Sequence, residues 1–223
     1  MTRAMAARQY VSDVAVLARK DARLELRSRD TVPAMLLFVV GALVVFHFAV
    51  PADLDEETER VVSFGLLWVA LLFTAILGLT RAFVAEREQR LIDALVLAPC
   101  DRSAIWLAKT IAVVAFLLLA ELIALPAFAL FFVPVGGATI AAVLLANIGI
   151  AAVGTVLSAV SAASRTRELL LPLLLLPLAI PIIVGGIGAS VTDEPAQFLA
   201  FLALYDAVFA IISWSTFEYV VTE

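Results

Sequence analysis

Residues 83–109, FVAEREQRLIDALVLAPCDRSAIWLAK, decide how this chain is read. They form its longest polar interruption, beginning where one apolar run ends and stopping where the next begins. Residues 86–97 fit a short helix. Arg87, Arg90 and Asp93 recur at i, i+3, i+6 on a polar face, and Leu91, Leu95 and Ala98 at i, i+4, i+7 on an apolar one. Pro99 then stops the helix, because it has no N–H to donate and biases the preceding residue away from helical dihedrals. Asp101, or Ser103 two residues on, suits the N-cap of the next helix. The pattern is membrane helix, short surface helix, proline stop, membrane helix. A short helix at the mouth of a bundle is a handle that another protein can push.

Composition agrees. Of 223 residues, 64% are hydrophobic, against about 45–50% in soluble domains, and mean hydropathy is +1.08. Several apolar runs are longer than the roughly 18 residues that mark a spanning helix. The expectation is an all-α membrane protein forming a single domain over residues 1–223. Six spans are read at about 32–50, 61–80, 104–133, 138–160, 169–189 and 198–217. Residues 8–29 precede them as an amphipathic interfacial helix, with Val11, Ala15, Ala18, Ala22 and Leu26 on an apolar stripe. Beside that stripe runs a ladder of Arg19, Arg23 and Arg27, which suits a head-group layer. The third span is read as one tilted helix broken near Pro126, or as a helix plus a re-entrant piece. The basic residues of the first 30 positions flank no central apolar run, so this stretch does not read as a signal peptide.

Charge sets the orientation. Of the fifteen Lys and Arg residues, all but Arg60 fall before span 1, around spans 2 and 3, or between spans 4 and 5. The opposite loops carry Asp53, Asp55, Glu56, Glu57, Glu59, Asp193 and Glu194. The positive-inside rule then puts both termini in the cytoplasm of a multi-pass cell-membrane protein. Crossing the membrane twice within span 3 would put Arg165 and Arg167 on the wrong side.

Enzyme chemistry is absent from the motifs. No GxxxxGK[ST] loop, HExxH, CxxC or GxSxG occurs. One cysteine, Cys100, makes no internal disulfide, and one histidine, His47, makes no multi-histidine metal site within a single copy. What stands out is polarity inside the spans. Glu121 sits mid-span, where a carboxylate costs about 2.5–3.5 kcal/mol on insertion scales. It therefore needs a proton, a hydrogen-bond partner or a water-lined path. Asp206 is similar in span 6. Asn147, Ala151, Gly154, Ser158 and Ser161 give span 4 a face of small and polar residues for close packing, within the chain or across a dimer. Span 5 carries Pro172, Pro177 and Pro181, each of which removes a backbone hydrogen bond, so this helix is read as kinked, either static or a gate. His47, near one end of span 1, suits either an interfacial hydrogen bond or a haem contact through its neutral imidazole.

Glu86, Arg87 and Glu88, followed by Leu91, Asp93, Leu95, Leu97, Pro99 and Lys109, resemble the E-x-E…G-x-L-E-x-L-L-x-x-P…K pattern of type-2 ABC exporter permeases. Gln89 and Arg90 stand where that pattern commonly has glycine, and Asp93 where it has Glu. More narrowly, the length, the six spans, the LAPCDRSAIWLAK wording and the proline-rich span 5 resemble the permease subunits of the cytochrome c maturation haem exporters. The resemblance covers essentially the whole chain. It implies a non-catalytic subunit whose separate ABC ATPase, a dimer, docks on the coupling segment 83–99 through Glu86, Arg87, Glu88, Leu91, Asp93, Leu95 and Pro99. It also implies haem as the transported or handled ligand, with no cofactor bound directly. The partners would be a haem-handling membrane protein and membrane lipid, with no nucleic acid. Two other readings stand beside it. One is a type-2 exporter half that moves a drug or lipid as a homodimer. The other is a secondary transporter using Glu121 as a proton site.

Reporter fusions test the topology: fusions at Asp55 and Glu194 are expected to report outside and one at Arg167 inside. A reversed signal at any of the three breaks the six-span reading.

Overall fold

A computed structural model describes residues 3–28, 31–51, 53–81, 101–163 and 167–222. The described residues form seven helices in chain order: α1 (Arg3–Ser28), α2 (Thr31–Ala49), α3 (Glu56–Arg81), α4 (Arg102–Phe131), α5 (Gly137–Ala163), α6 (Arg167–Val191) and α7 (Ala196–Thr222). The last six are each long and apolar enough to cross a membrane. The coupling helix expected within 83–99 lies outside the described residues.

Helix ends follow local chemistry. α3 begins five residues before its apolar run because Asp55 caps it. The Thr58 backbone N–H donates to Asp55 Oδ2 at 2.9 Å, and that bond holds the Asp55 carboxyl below the usual range. Glu56, Glu57 and Glu59 in the first turn suit the positive end of the helix dipole. At α4, Asp101 is the cap that forms: its side chain accepts from the Ser103 backbone N–H at 2.9 Å. α4 runs unbroken through Pro126 for 30 residues, about 45 Å by helical rise. It is therefore a single helix with no re-entrant piece. α6 likewise continues through Pro172, Pro177 and Pro181.

α5 is the axis of the bundle, with α3, α4, α6 and α7 packed around it. In α5, 61% of the apolar window is buried, against 17% in α2. α2 lies at the periphery and buries one stripe, Met35, Val39 and Leu43, on α3 and α4. The small-residue face of α5 is spent inside this chain. A side chain at Gly154 would collide with Leu79 of α3, and the Ser158 hydroxyl donates to the Leu79 carbonyl at 3.0 Å. The dimer contact weighed for this face is therefore not available to it.

α1 packs on α4 through a face beside the apolar stripe that suits the head-group layer. Val14 and Asp21 are buried and Tyr10 and Leu17 half-buried, whereas Val11 is 66% exposed. The contact face runs 10, 14, 17, 21. The stripe through Val11 and Ala15 is rotated away from the protein, because α4 offers Ala104 and Ala108 as a shallow seat for Val14.

α6 meets α3 at Gly186, whose missing side chain leaves room for the Trp68 ring; a Cβ there would overlap the indole. Trp68 Nε1 donates to Ser190 Oγ at 3.3 Å, and that hydroxyl donates to the Gly186 carbonyl at 2.8 Å. Gly186→Ala should cost about 1–3 kcal/mol by overpacking. The check is a lower midpoint of thermal unfolding in detergent, with Gly41→Ala, where an added Cβ meets nothing within 4 Å, as the comparison.

Candidate functional site

Three polar features interrupt an otherwise apolar bundle, one at each end and one in the middle.

The first joins α1 to the start of α4. Lys109 lies two turns inside α4 and is buried, and its Nζ is 3.5 Å from Asp21 Oδ2 of α1. Lys20 Nζ meets the other Asp21 oxygen at 2.9 Å. The Tyr10 and Ser103 hydroxyls bond at 3.2 Å across the same seam. Arg102 reaches Glu218 of α7 at 3.3 Å, an exposed pair that adds little. Breaking the buried pair would strand a charge, so α1 and the start of α4 are bound to move as one body. Asp21 belongs to no motif. Its only signal in the sequence is its spacing from Tyr10, Val14 and Leu17.

The second is a level of polar groups in mid-bundle. Glu121 is ten residues before the end of α4, Asn147 ten after the start of α5, and Asp206 ten after the start of α7. All three therefore lie about 15 Å below the helix ends on the acidic side. Asn147 Nδ2 donates to Glu121 Oε2 at 2.6 Å, with both side chains buried. Beside them, Trp68, Leu71, Ile150 and Ile182 help close a cavity of about 10 Å³, room for roughly one water. Asp206 stands apart on the other side of α5. It is buried against Gly149, where any side chain would collide with its carboxylate, and its oxygens have no hydrogen-bond partner among the described residues. The neighbouring Tyr205 hydroxyl donates instead to the Leu178 carbonyl at 2.7 Å. Glu121 and Asn147 are thus brought together, and Asp206 is not joined to them.

The third is a larger cavity, about 410 Å³, at the acidic end between α3, the α4–α5 connection and the end of α6. Arg60 sits on its wall and donates from Nη2 to the Ser190 carbonyl at 3.1 Å. His47 is not among the residues around it. His47 is exposed at the end of α2, with its ring 5.4 Å from Phe131, 5.7 Å from Phe132 and 5.5 Å from Phe48. Among the described residues, no group of three His, Cys, Asp or Glu side chains could hold a metal. Glu86, Arg87, Glu88, Leu91, Asp93, Leu95 and Pro99 lie outside the described residues.

The Asn147–Glu121 bond can be measured. Asn147→Leu leaves a buried carboxyl without its donor and should cost about 1–2 kcal/mol. Adding Glu121→Leu should recover part of that loss. Additive losses in the double variant would mean the two groups do not interact.

A family model described as the CcmB protein matches residues 12–217. Heme exporter protein B of Pseudomonas aeruginosa is 31% identical over 180 residues, covering 78% of each chain. The protein of the same name from Rhodobacter capsulatus is 30% identical over 193 residues, 82% of this chain and 84% of that one. Heme exporter protein B of Paracoccus denitrificans is 29% identical over 191 residues, 82% of this chain and 87% of that one. The family match runs from α1 into the last turns of α7 and takes in the Asp21–Lys109 seam, the mid-bundle polar level and the acidic-end cavity, so this chain belongs to the CcmB protein family.

Proposed function

We propose that this chain is the membrane permease subunit of an ABC transporter complex that serves haem export or delivery in cytochrome c maturation. ATP hydrolysis belongs to a separate subunit. Membership of a family whose relatives are called heme exporter protein B carries the reading. The buried Asp21–Lys109 pair supports its mechanical part. Residues 82–100 lead directly into Asp101, the cap of α4, and α4 is tied to α1 by that pair. An ATPase dimer docked through Leu91 and Leu95, flanked by Glu86, Arg87, Glu88, Asp93 and Pro99, would push on α4 and α1 together. α4 then delivers the displacement to α5 through Trp106 Nε1, which donates to the Ala152 carbonyl at 3.3 Å, and through Asn147 and Glu121. In this reading both termini face the cytoplasm and the acidic end faces out. The family match and the burial of the α5 small-residue face both favour it over a drug- or lipid-moving homodimer.

Cells lacking this chain should lose covalently bound haem from their c-type cytochromes on a haem stain, and the intact gene should restore it. Normal cytochromes would remove the haem reading. A double change, Leu91→Asp with Leu95→Asp, should abolish co-purification of the ATPase subunit while leaving the chain in the membrane. A complex that survives in detergent would put the docking site elsewhere.

A further inference from the structure

His47 is the only histidine of the chain, and the mechanics proposed above make no use of it. It stands exposed in the last turn of α2, two residues before the helix ends at Ala49. Its imidazole meets three rings: Phe48 next to it, Phe131 at the end of α4, and Phe132 just beyond. From Phe132 the series runs inward to Phe128 and then Phe64, both buried in the core. The imidazole is thus positioned by rings anchored in close-packed protein. Among the described residues neither of its nitrogens makes a hydrogen bond. Phe48 beside it is 83% exposed, so a large uncovered ring lies next to an open nitrogen donor.

This arrangement selects among ligands. A bare metal ion needs several protein donors, and among the described residues no group of three His, Cys, Asp or Glu side chains supplies them. An iron porphyrin brings its equatorial nitrogens with it. It needs only an axial ligand from the protein, and a neutral imidazole is one. Its macrocycle is a flat apolar disc that suits aromatic faces, while its propionate groups need water. The end of α2 meets both needs, with an exposed ring on the span and the chain leaving the span at Val50 and Pro51. We propose that His47 is an axial ligand for haem at the acidic end of the bundle, with the macrocycle lying on Phe48. Phe131 and Phe132 are positioning residues that fix the imidazole. The proposal rests on the haem reading above and gives it a place on this chain where the substrate is held.

The test is an optical titration of the full chain in detergent with ferric haem, and in parallel with metal-free protoporphyrin. Haem on the wild-type chain should show the absorption bands of an imidazole-ligated iron, shifted from those of haem in empty micelles. His47→Ala should lose those bands. Its haem affinity should fall by more than the roughly tenfold that loss of an outer-shell partner costs a metal site. Metal-free protoporphyrin has no iron to ligate, so its affinity should be the same for both proteins. Phe48→Ala should weaken both porphyrins, because it removes a ring and leaves the iron ligand. Haem spectra and affinities that match in wild type and His47→Ala would overturn the proposal. So would a loss of metal-free protoporphyrin as large as the loss of haem, or wild-type spectra no different from those of empty micelles. The haem stain of cells lacking this chain separates the two readings. Cytochromes lost in those cells beside a titration indifferent to His47 would sink this site and keep the proposed function. Normal cytochromes beside a His47-dependent spectrum would do the reverse.

Discussion

The hydrogen bond from Asn147 to Glu121 is the contact on which the bundle turns. Lipid offers a buried carboxyl nothing to bond with, so its partner must come from another helix. Here it comes from α5 at 2.6 Å. That bond fixes the rotation and depth of α4 on the central helix. With the rotation set, Trp106 reaches the Ala152 carbonyl and Thr110 meets Thr155 at 3.4 Å, both farther down the same seam. The remaining neighbours close on α5 because it presents glycine where they arrive: Gly154 under Leu79 of α3, and Gly149 under Asp206 of α7. Helices in a membrane gain little from burying apolar surface, so close van der Waals contact of this kind does most of the holding.

At the basic end a different constraint operates. α1 is an amphipathic helix that the head-group layer alone could hold, yet it is fastened to the bundle by a buried ion pair. Such a pair adds little net stability, since desolvating both groups offsets their attraction. Its consequence is mechanical. Sliding α1 along α4 would part Lys109 from Asp21 and leave both charges buried, so the two helices share their displacements. This gives the stretch before Asp101 a rigid body to act on, whatever acts on it.

The acidic end is looser. Its helices finish in short turns at Pro51, Pro134 and Pro195, and a cavity of about 410 Å³ opens beside Pro134. The stability of that end comes from directly beneath it. Ser190 accepts from Trp68, whose ring fills the space that Gly186 leaves. Phe64 meets Phe128 at a tilt, centroids 5.4 Å apart, and Phe128 stacks on Phe132 at 5.1 Å. A cavity above a tightly packed aromatic floor keeps its shape without a ligand inside it.

Six apolar runs, their lengths and the segregation of charge were legible in the sequence, because each is a property of a continuous stretch. The transfer of about 20 apolar residues into lipid does not depend on what they pack against. The Asp101 cap was legible for the same reason, being a matter of two residues. Glu121 announced its need for a partner, but not that Asn147 would be the partner. The apolar stripe of α1 through Val11 and Ala15 was legible, but not the face that docks on the bundle, Tyr10, Val14, Leu17 and Asp21, which is as regular. Only the shallow alanine surface and the buried lysine of α4 choose between them. The cavity lining was also silent: Glu59 and Arg60 of α3 meet Thr139 of α5 only in the fold. Helices in lipid follow from sequence because hydrophobicity and backbone bonding act locally. Their rotation, and the groups they bring together, were decided by tertiary structure, because those depend on contacts between residues that no local pattern connects.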